Sequence, residues 1–365
     1  MKIVHFGKYY PPEYGGIESV TEALAEDHAA KGHNVDVVCF TRGAACMERK
    51  GRLTLRRIRV WAEKVSQPLA LSYVQACIRA GQDADLVHVH TPNVLAALAV
   101  CLLPRHTPAI VHWHADIAGK GIMGRLVRPI ERAMLRRASL VVVTTKAYGD
   151  TSAALAPFSD RIKVIPIGIA DLENPPESKS VQRPYVLFVG RLVPYKGLSV
   201  LLDAISRVES DAEFRIVGVG PQETALKKQA QRLAISNRVT FMGRVDEARL
   251  QEQFAGAAVF CLPSVNRLEA FGVVLLEAMR AGRAIIATDI PGSGVPWVNS
   301  SGINVPVEDP KALAEVLDFL LADSEEIFRL GESARARFEK EFSRELMSAR
   351  FLEVYEEVLN RETKP

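Results

Sequence analysis

The segment Glu269-Ala270-Phe271-Gly272-Val273-Val274-Leu275-Leu276-Glu277-Ala278-Met279 carries two carboxylates separated by seven residues around an apolar turn. A retaining glycosidase pair needs its carboxyl groups about 5–5.5 Å apart, and an inverting pair about 6.5–9.5 Å. Eight helical rises of about 1.5 Å separate these by about 12 Å, too far to work on one bond. They suit the two ends of one elongated ligand, a sugar at one end and a ribose at the other. The amides of Phe271 and Gly272, at the helix start, would then face phosphates between them. The plainer alternative is that Glu269 caps the helix and Glu277 is solvated.

A second cluster of reactive types precedes it. In Gly190-Arg191-Leu192-Val193-Pro194-Tyr195-Lys196-Gly197, two cations lie near the ends of a loop stiffened by Pro194. Beside a helix N-terminus, such a pair suits a diphosphate, because charge-assisted hydrogen bonds to phosphate are worth about 1.5–3 kcal/mol each; ordinary solvated cations are the alternative. Gly15-Gly16, just before Ile17-Glu18, lets a ligand approach free amides closely, although a flexible turn would look the same. The spacing is not the dinucleotide fingerprint, and Gly218-Val219-Gly220 is only a fragment of it.

Imidazoles recur at spacing two in His88-Val89-His90 and His112-Trp113-His114, which puts each pair on one strand face. A zinc hydrolase is the metal reading, but it would draw further ligands from later strands, and His114 is the last histidine. No metal or other cofactor is therefore expected. Asp83-Ala84-Asp85 resembles a metal-dependent sugar-transfer motif but precedes its strand, at the edge opposite the expected ligand. Between Gly121 and Arg137, Arg125, Arg128, Arg132, Arg136 and Arg137 face one acid, Glu131, while Ile122, Leu126, Ile130 and Met134 repeat every four residues. That describes a surface helix with a buried stripe, or a basic amphipathic helix resting on anionic lipid. Nucleic acid is not an expected partner, since aromatics hardly interleave with these cations.

The elements that must position these groups alternate strand and helix. Apolar runs at 2–6, 35–40, 86–90, 109–113 and 140–143 read as strands buried on both faces, with helical spacing at 17–31, 68–80 and 124–137 between them. After a proline-rich stretch, strands are predicted at 185–189, 214–217, 239–241, 258–262 and 284–288, and helices at 198–208, 222–234, 247–255, 270–280 and 311–321. Two further helices, at about 324–340 and 344–360, close the chain. The reading is α/β: two doubly wound parallel sheets, residues 1–170 and 185–342, joined by a linker at 171–184, with 343–365 packing back on the first domain. Ligands of such sheets gather beyond the carboxyl ends of the strands, so the loops after strands are where function belongs.

Length, at 365 residues, already favours two domains, and 48% hydrophobic with 24% charged content excludes a disordered or fibrous chain. The longest apolar run, residues 94–103, is too short to cross a bilayer. Five scattered cysteines without metal-ligand spacing, and no leader pattern at Met1-Lys2, read as a cytoplasmic protein with reduced thiols. Residues 1–170 hold 22 Lys+Arg against 14 Asp+Glu, and the remainder 24 against 29. Either this is ordinary fluctuation, or the first half faces something anionic such as a membrane surface.

Taken together, Gly15-Gly16, the His114 loop, Gly190-Arg191 with Lys196, the Glu269-to-Glu277 motif and the terminal helices resemble glycosyltransferase family 4, which has the GT-B fold. The resemblance spans essentially the whole chain and implies a retaining transfer from a nucleotide-diphosphate sugar, without metal. By position it implies that Arg191 and Lys196 hold the diphosphate and Glu269 contacts donor-sugar hydroxyls. Phe271 and Gly272 offer amides, Glu277 binds ribose and Val245 approaches the base. Gly16 touches phosphate, His114 lies near the transferred sugar, and Gly15 and Asp116 are acceptor or sugar contacts. Alanine at Glu269 is expected to abolish transfer with little change in stability. His112-Trp113-His114-Ala115-Asp116 with the basic helix and Pro166-Ile167-Gly168-Ile169 is similar to bacterial mannosyl- and rhamnosyltransferases that build surface polysaccharides such as O-antigen from GDP-linked donors on lipid-carried acceptors. A UDP-sugar transferase, an epimerase of the same architecture and a non-catalytic nucleotide-sugar binder are the alternatives.

Overall fold

The computed structural model describes residues 1–13, 15–64, 67–116, 121–173 and 184–362, and of residues 64, 121–126 and 362 the backbone alone. Most of the 171–184 linker thus lies outside the described residues. The chain forms two compact units, Met1–Ile169 with Arg344–Pro365, and Ala170–Ser343.

The first unit contains strands β1 (Lys2–Phe6), β2 (Asn34–Thr41), β3 (Cys46–Lys50), β4 (Leu53–Arg59), β5 (Ala62–Lys64), β6 (Gln67–Leu69), β7 (Leu86–Thr91), β8 (Ala109–Trp113), β9 (Leu140–Val143) and β10 (Ile162–Val164). Its helices are α1 (Gly16–Ala30), α2 (Leu71–Gly81), α3 (Val94–Leu102), α4 (Gly121–Arg137) and α5 (Lys146–Thr151). Eight strands form one sheet in the order β10-β9-β8-β7-β1-β2-β4-β3, parallel except for the edge strand β3. The Val- and Ile-rich interiors of β1, β7, β8 and β9 are buried along nearly their whole length, as expected when helices cover both faces.

The second unit has a fully parallel six-stranded sheet, ordered β13-β12-β11-β14-β15-β16, from β11 (Tyr185–Val189), β12 (Glu213–Val217), β13 (Val239–Gly243), β14 (Val259–Leu262), β15 (Ala284–Thr288) and β16 (Ile303–Val305). Its helices are α6 (Leu198–Ile205), α7 (Glu223–Arg232), α8 (Glu247–Gly256), α9 (Val273–Arg280), α10 (Val295–Val298), α11 (Pro310–Ala322) and α12 (Ser324–Glu341). Asp309 and Asp323 cap α11 and α12 through their carboxylates. The last helix, α13 (Arg344–Glu362), belongs to the first unit, where Arg344 pairs with Asp27 and Glu26 of α1.

Several elements differ from their sequence-based expectations. Residues 94–102 form α3, started by Asn93, whose side chain accepts from the Ala96 amide at 3.1 Å, and stopped before Pro104. The β3–β4 hairpin went unread because its exposed, charged β3 has no apolar alternation. Pro68 sits in β6 rather than opening a helix, and α9 starts at Val273 rather than Ala270.

Candidate functional site

The loops after the strands of the second unit are bound to one another. Backbone bonds run from Leu192 to Val219, from Gly218 to Gly243 and from Val265 to Tyr195, at 2.8–3.1 Å. Gly218 has φ +137°, and a Cβ there would lie 1.9 Å from the Gly190 carbonyl oxygen, so only glycine allows these loops to close. In this frame a short 3₁₀ turn, Pro194–Lys196, aims Lys196 inward. Its Nζ lies 2.5 Å from Glu269 Oε2, with both side chains about nine-tenths buried. The Ser264 hydroxyl donates to the same carboxylate oxygen at 2.9 Å, and Ser293 donates to the Glu269 carbonyl.

Glu269 therefore does not cap a helix. The N-cap of α9 is Gly272, at φ +78°, where a Cβ would lie 2.9 Å from Leu275. That left-handed turn points the first helical amides out of α9 without a side-chain acceptor. Phe271 is buried, edge-on to Phe342 at 6.2 Å, so the backbone is the polar group it has to offer. Arg191 is exposed at the far end of its loop, and Val245 is half-buried in the loop between β13 and α8. Since only part of the 269–277 segment is helical, the eight-rise distance does not apply to it.

Glu277 is not freely solvated: it is half-buried on α9, and desolvation pushes its carboxyl up to about 7. It also lines a cavity of about 420 Å³ with Leu172, Phe254, Arg280, Arg283 and Arg335. Most of that wall comes from segments leading into β14 and β15, the amino edge of the sheet. Glu277 both lines this cavity and lies near enough to Lys196, in the loop cluster after the strands, to feel its charge; that cluster adds to its cations the free amides that suit an anion.

In the first unit, Gly15 is the extended N-cap of α1, and both glycines are exposed. A Cβ on Gly15 would lie 2.3 Å from the Glu18 carboxylate, which folds over this amide cluster, and burial raises the Glu18 carboxyl. His114 is buried just past β8. Asp116 is tied down, accepting from the Trp113 indole at 3.0 Å and the Ser152 hydroxyl at 2.6 Å, so it holds the His114 loop in place. Asp85 receives the Lys2 amide at 2.7 Å at the start of β1, a structural role away from the strand ends that bear function. On α4, Arg128, Arg132 and Arg136 are exposed at successive turns, whereas Arg137 donates to the carbonyls of Pro104, Arg105 and Thr107; the Arg125 side chain lies outside the described residues.

The four spaced histidines do share a face, and the sequence reading missed two companions, His5 and His28. His5 pairs with His88 across β1 and β7, and His90 with His112 across β7 and β8. The alternation of β1 placed His5 on a face; only the register showed which. Burial pushes His5 and His114 down to about 3 and His28 to about 4, and holds His88, His90 and His112 well below the usual imidazole range, which favours the neutral form of all six.

Known proteins share this organisation. Residues 15–168 match the model of the glycosyl transferase 4-like domain, and residues 171–337 that of glycosyl transferases group 1. An O-antigen chain mannosyltransferase C of Escherichia coli is 30% identical, covering 98% of this chain and 99% of its own. The chain belongs to glycosyltransferase family 4. This glycosyltransferase is also 30% identical to a D-rhamnosyltransferase of Pseudomonas aeruginosa, over 94% of this chain and 92% of that one. Its fold is that of sucrose-phosphate synthase from Thermosynechococcus elongatus, with a TM-score of 0.80 at 22% identity and 99% of each chain covered. It is thus a hexosyltransferase of GT-B architecture, and an epimerase is not favoured. Among the described residues, no helix of this glycosyltransferase is long and apolar enough to cross a membrane.

Proposed function

We propose that this glycosyltransferase moves a mannose- or rhamnose-type hexose from a GDP-sugar to a lipid-linked or polysaccharide acceptor, with retention and without metal. The observation that carries the proposal is the buried Lys196–Glu269 pair beside the free amides at the start of α9. Breaking an anomeric bond releases a diphosphate anion, and cations and amides already aimed at it lower the barrier without reorganising. Arg191, Lys196, Phe271, Gly272 and Gly16 take up the phosphates in this reading. Glu269 orients the sugar, Glu277 and Val245 hold the nucleoside, and His114 meets a sugar hydroxyl. With Glu269 engaged by Lys196 and no other nucleophile evident among the described residues, front-face departure and attack is the favoured route. The mannosyl- and rhamnosyltransferase relatives support the hexose type. Arg128, Arg132 and Arg136 suit peripheral contact with anionic lipid on the cytoplasmic side.

A thermal-shift screen with GDP, UDP, ADP and CMP tests the donor. GDP should stabilise most; stabilisation by UDP alone would move the assignment to a UDP-sugar. Arg191→Ala should weaken nucleoside-diphosphate binding about tenfold or more while sparing the nucleoside, since one charge-assisted bond is lost. Equal losses for both ligands would remove the phosphate role.

A further inference from the structure

Each face of the first unit's large sheet carries its own layer of helices, and the two layers differ in charge. Along β2, successive side chains point to opposite faces. Val35, Val37 and Cys39 cluster with Ala25 of α1, whereas Phe40 stacks on Tyr73 of α2 at 3.9 Å. α13 shares the α1 face, with Tyr355 edge-on to His28 at 5.3 Å. α3 and α4 extend the α2 layer. A Cβ on Gly81 of α2 would lie 2.8 Å from Leu103 at the end of α3, and the Cys101 thiol lies 4.0 Å from the Ile130 carbonyl of α4.

α2, α3 and α4 together contain six arginines and one acid, the buried Glu131. Arg79, Arg128, Arg132 and Arg136 are exposed. Asp83 and Asp85 lie in the turn from α2 into β7, where Asp85 receives the Lys2 amide at the sheet's edge. α1 and α13 together contain nine acids and three arginines, with Glu26, Glu345, Glu353 and Glu356 exposed. Between the arginines of α2 and α4 lies a helix of Val, Leu, Ala and Cys alone. Helical spacing gathers Val94, Leu95, Leu98, Cys101 and Leu102 of α3 into one arc of about 120°. These five are the residues of α3 that are not fully buried, and Leu102 is 56% exposed. A helix in an outer layer ordinarily turns polar residues to water. An outward apolar stripe flanked by cations marks a face that meets another surface.

We propose that the α2–α3–α4 face rests on an anionic lipid bilayer, with the α3 stripe entering the headgroup region and the arginines meeting lipid phosphates. The inference rests on the peripheral lipid contact read above; it adds the apolar stripe of α3 and the side from which the bilayer is met. The arginines draw the face to the lipid, and burial of the leucines holds it there. The acidic α1–α13 face is repelled, which fixes one orientation. A second copy of the chain is the competing occupant, since its acidic face would also complement these arginines. That pairing would set carboxylates such as Glu353 and Glu356 against the leucines of α3 and strip their water. A bilayer offers its charge and its hydrocarbon at different depths.

Co-sedimentation of the full chain with vesicles tests the proposal. Phosphatidylcholine vesicles containing phosphatidylglycerol should bind more protein than phosphatidylcholine alone, and binding should weaken as salt rises. Arg128→Gln, Arg132→Gln and Arg136→Gln should each weaken it about fivefold, the share of one surface arginine. Leu102→Gln should weaken it as well, with a melting temperature near wild type because the side chain is exposed. Relative to the wild type, the added fluorescence of Leu102→Trp should be quenched by brominated lipid in anionic vesicles, and that of Glu353→Trp, on the opposite face, should not. Anionic-vesicle binding that leaves Leu102→Trp unquenched, or that ignores the arginine and leucine substitutions, would overturn this face while lipid contact stands. No preference for anionic vesicles would remove the lipid contact and the face with it. Self-association in sedimentation velocity that is lost in the arginine variants would give the face to a second copy instead.

Discussion

Glu269 and Lys196 share one buried ion pair, and this changes what substitution there should do. The sequence suggested that alanine at 269 would spare stability. With Lys196 left as an uncompensated buried charge, Glu269→Ala should instead destabilise by about 3–5 kcal/mol as well as abolish transfer. Glu269→Gln, which keeps the acceptor for Ser264 and Lys196, should melt closer to the wild type yet remain about 100-fold or more slower. Differential scanning calorimetry beside turnover assays separates the two effects. Glu277 makes a pH-dependent case. Its carboxyl is pushed up to about 7, so it is protonated below neutrality and charged above it. If the carboxylate accepts ribose hydroxyls, nucleoside-diphosphate affinity should rise between pH 6 and 8. Calorimetric titration should show that slope in the wild type and a flat profile in Glu277→Gln.

At the scale of elements, the loops that carry function are held by groups with no chemistry of their own. Arg57 on β4 donates to the Pro11 carbonyl at 2.6 Å, the Tyr10 carbonyl at 3.2 Å and the Glu48 carboxylate at 2.8 Å, while nearly all of its side chain is buried. It thereby ties the β1–α1 loop, which leads to Gly15 and Gly16, to the next layer of the sheet. Arg57→Ala should cost about 2–3 kcal/mol, seen as a lower urea midpoint. Lysine should not restore it, because a single ammonium cannot reproduce a fork spread over three acceptors. None of this was visible beforehand, since β3 and β4 bring Arg57 to the loop through pairings of no recognisable pattern.

For the molecule as a whole, the six buried histidines set the response to acid. Unfolded imidazoles bind protons below about 6.5, whereas those in the fold stay neutral to about 4 or lower. The unfolded state therefore gains protons first, and stability is lost as pH falls from about 6.5 toward those lowered values. Each histidine contributes up to about 1.4 kcal/mol per pH unit in that window. Thermal melts should be nearly level between pH 7 and 8 and should fall steeply between pH 6.5 and 5. A flat profile there would mean that the imidazoles are wet. All six lie in the unit built from Met1–Ile169 and Arg344–Pro365, so that unit should unfold first on acidification.

By itself, the sequence determined the α/β class, the positions of most buried strands, and the residue types gathered after them, because burial on both faces forces continuous Val and Ile runs and because loops must carry what strands cannot. Glu269, Lys196, Arg191 and His114 were legible for that reason: a charge or an imidazole at a strand end is conspicuous against such a background. Only the tertiary structure decided that Lys196 neutralises Glu269, that Gly272 rather than Ala270 begins the turn into α9, and that His5, His28 and Tyr355 join the imidazoles of β7 and β8. Those facts depend on strand register and on which helix returns to which sheet. Local propensity is silent about both, because bonded partners lie as many as 321 residues apart along the chain.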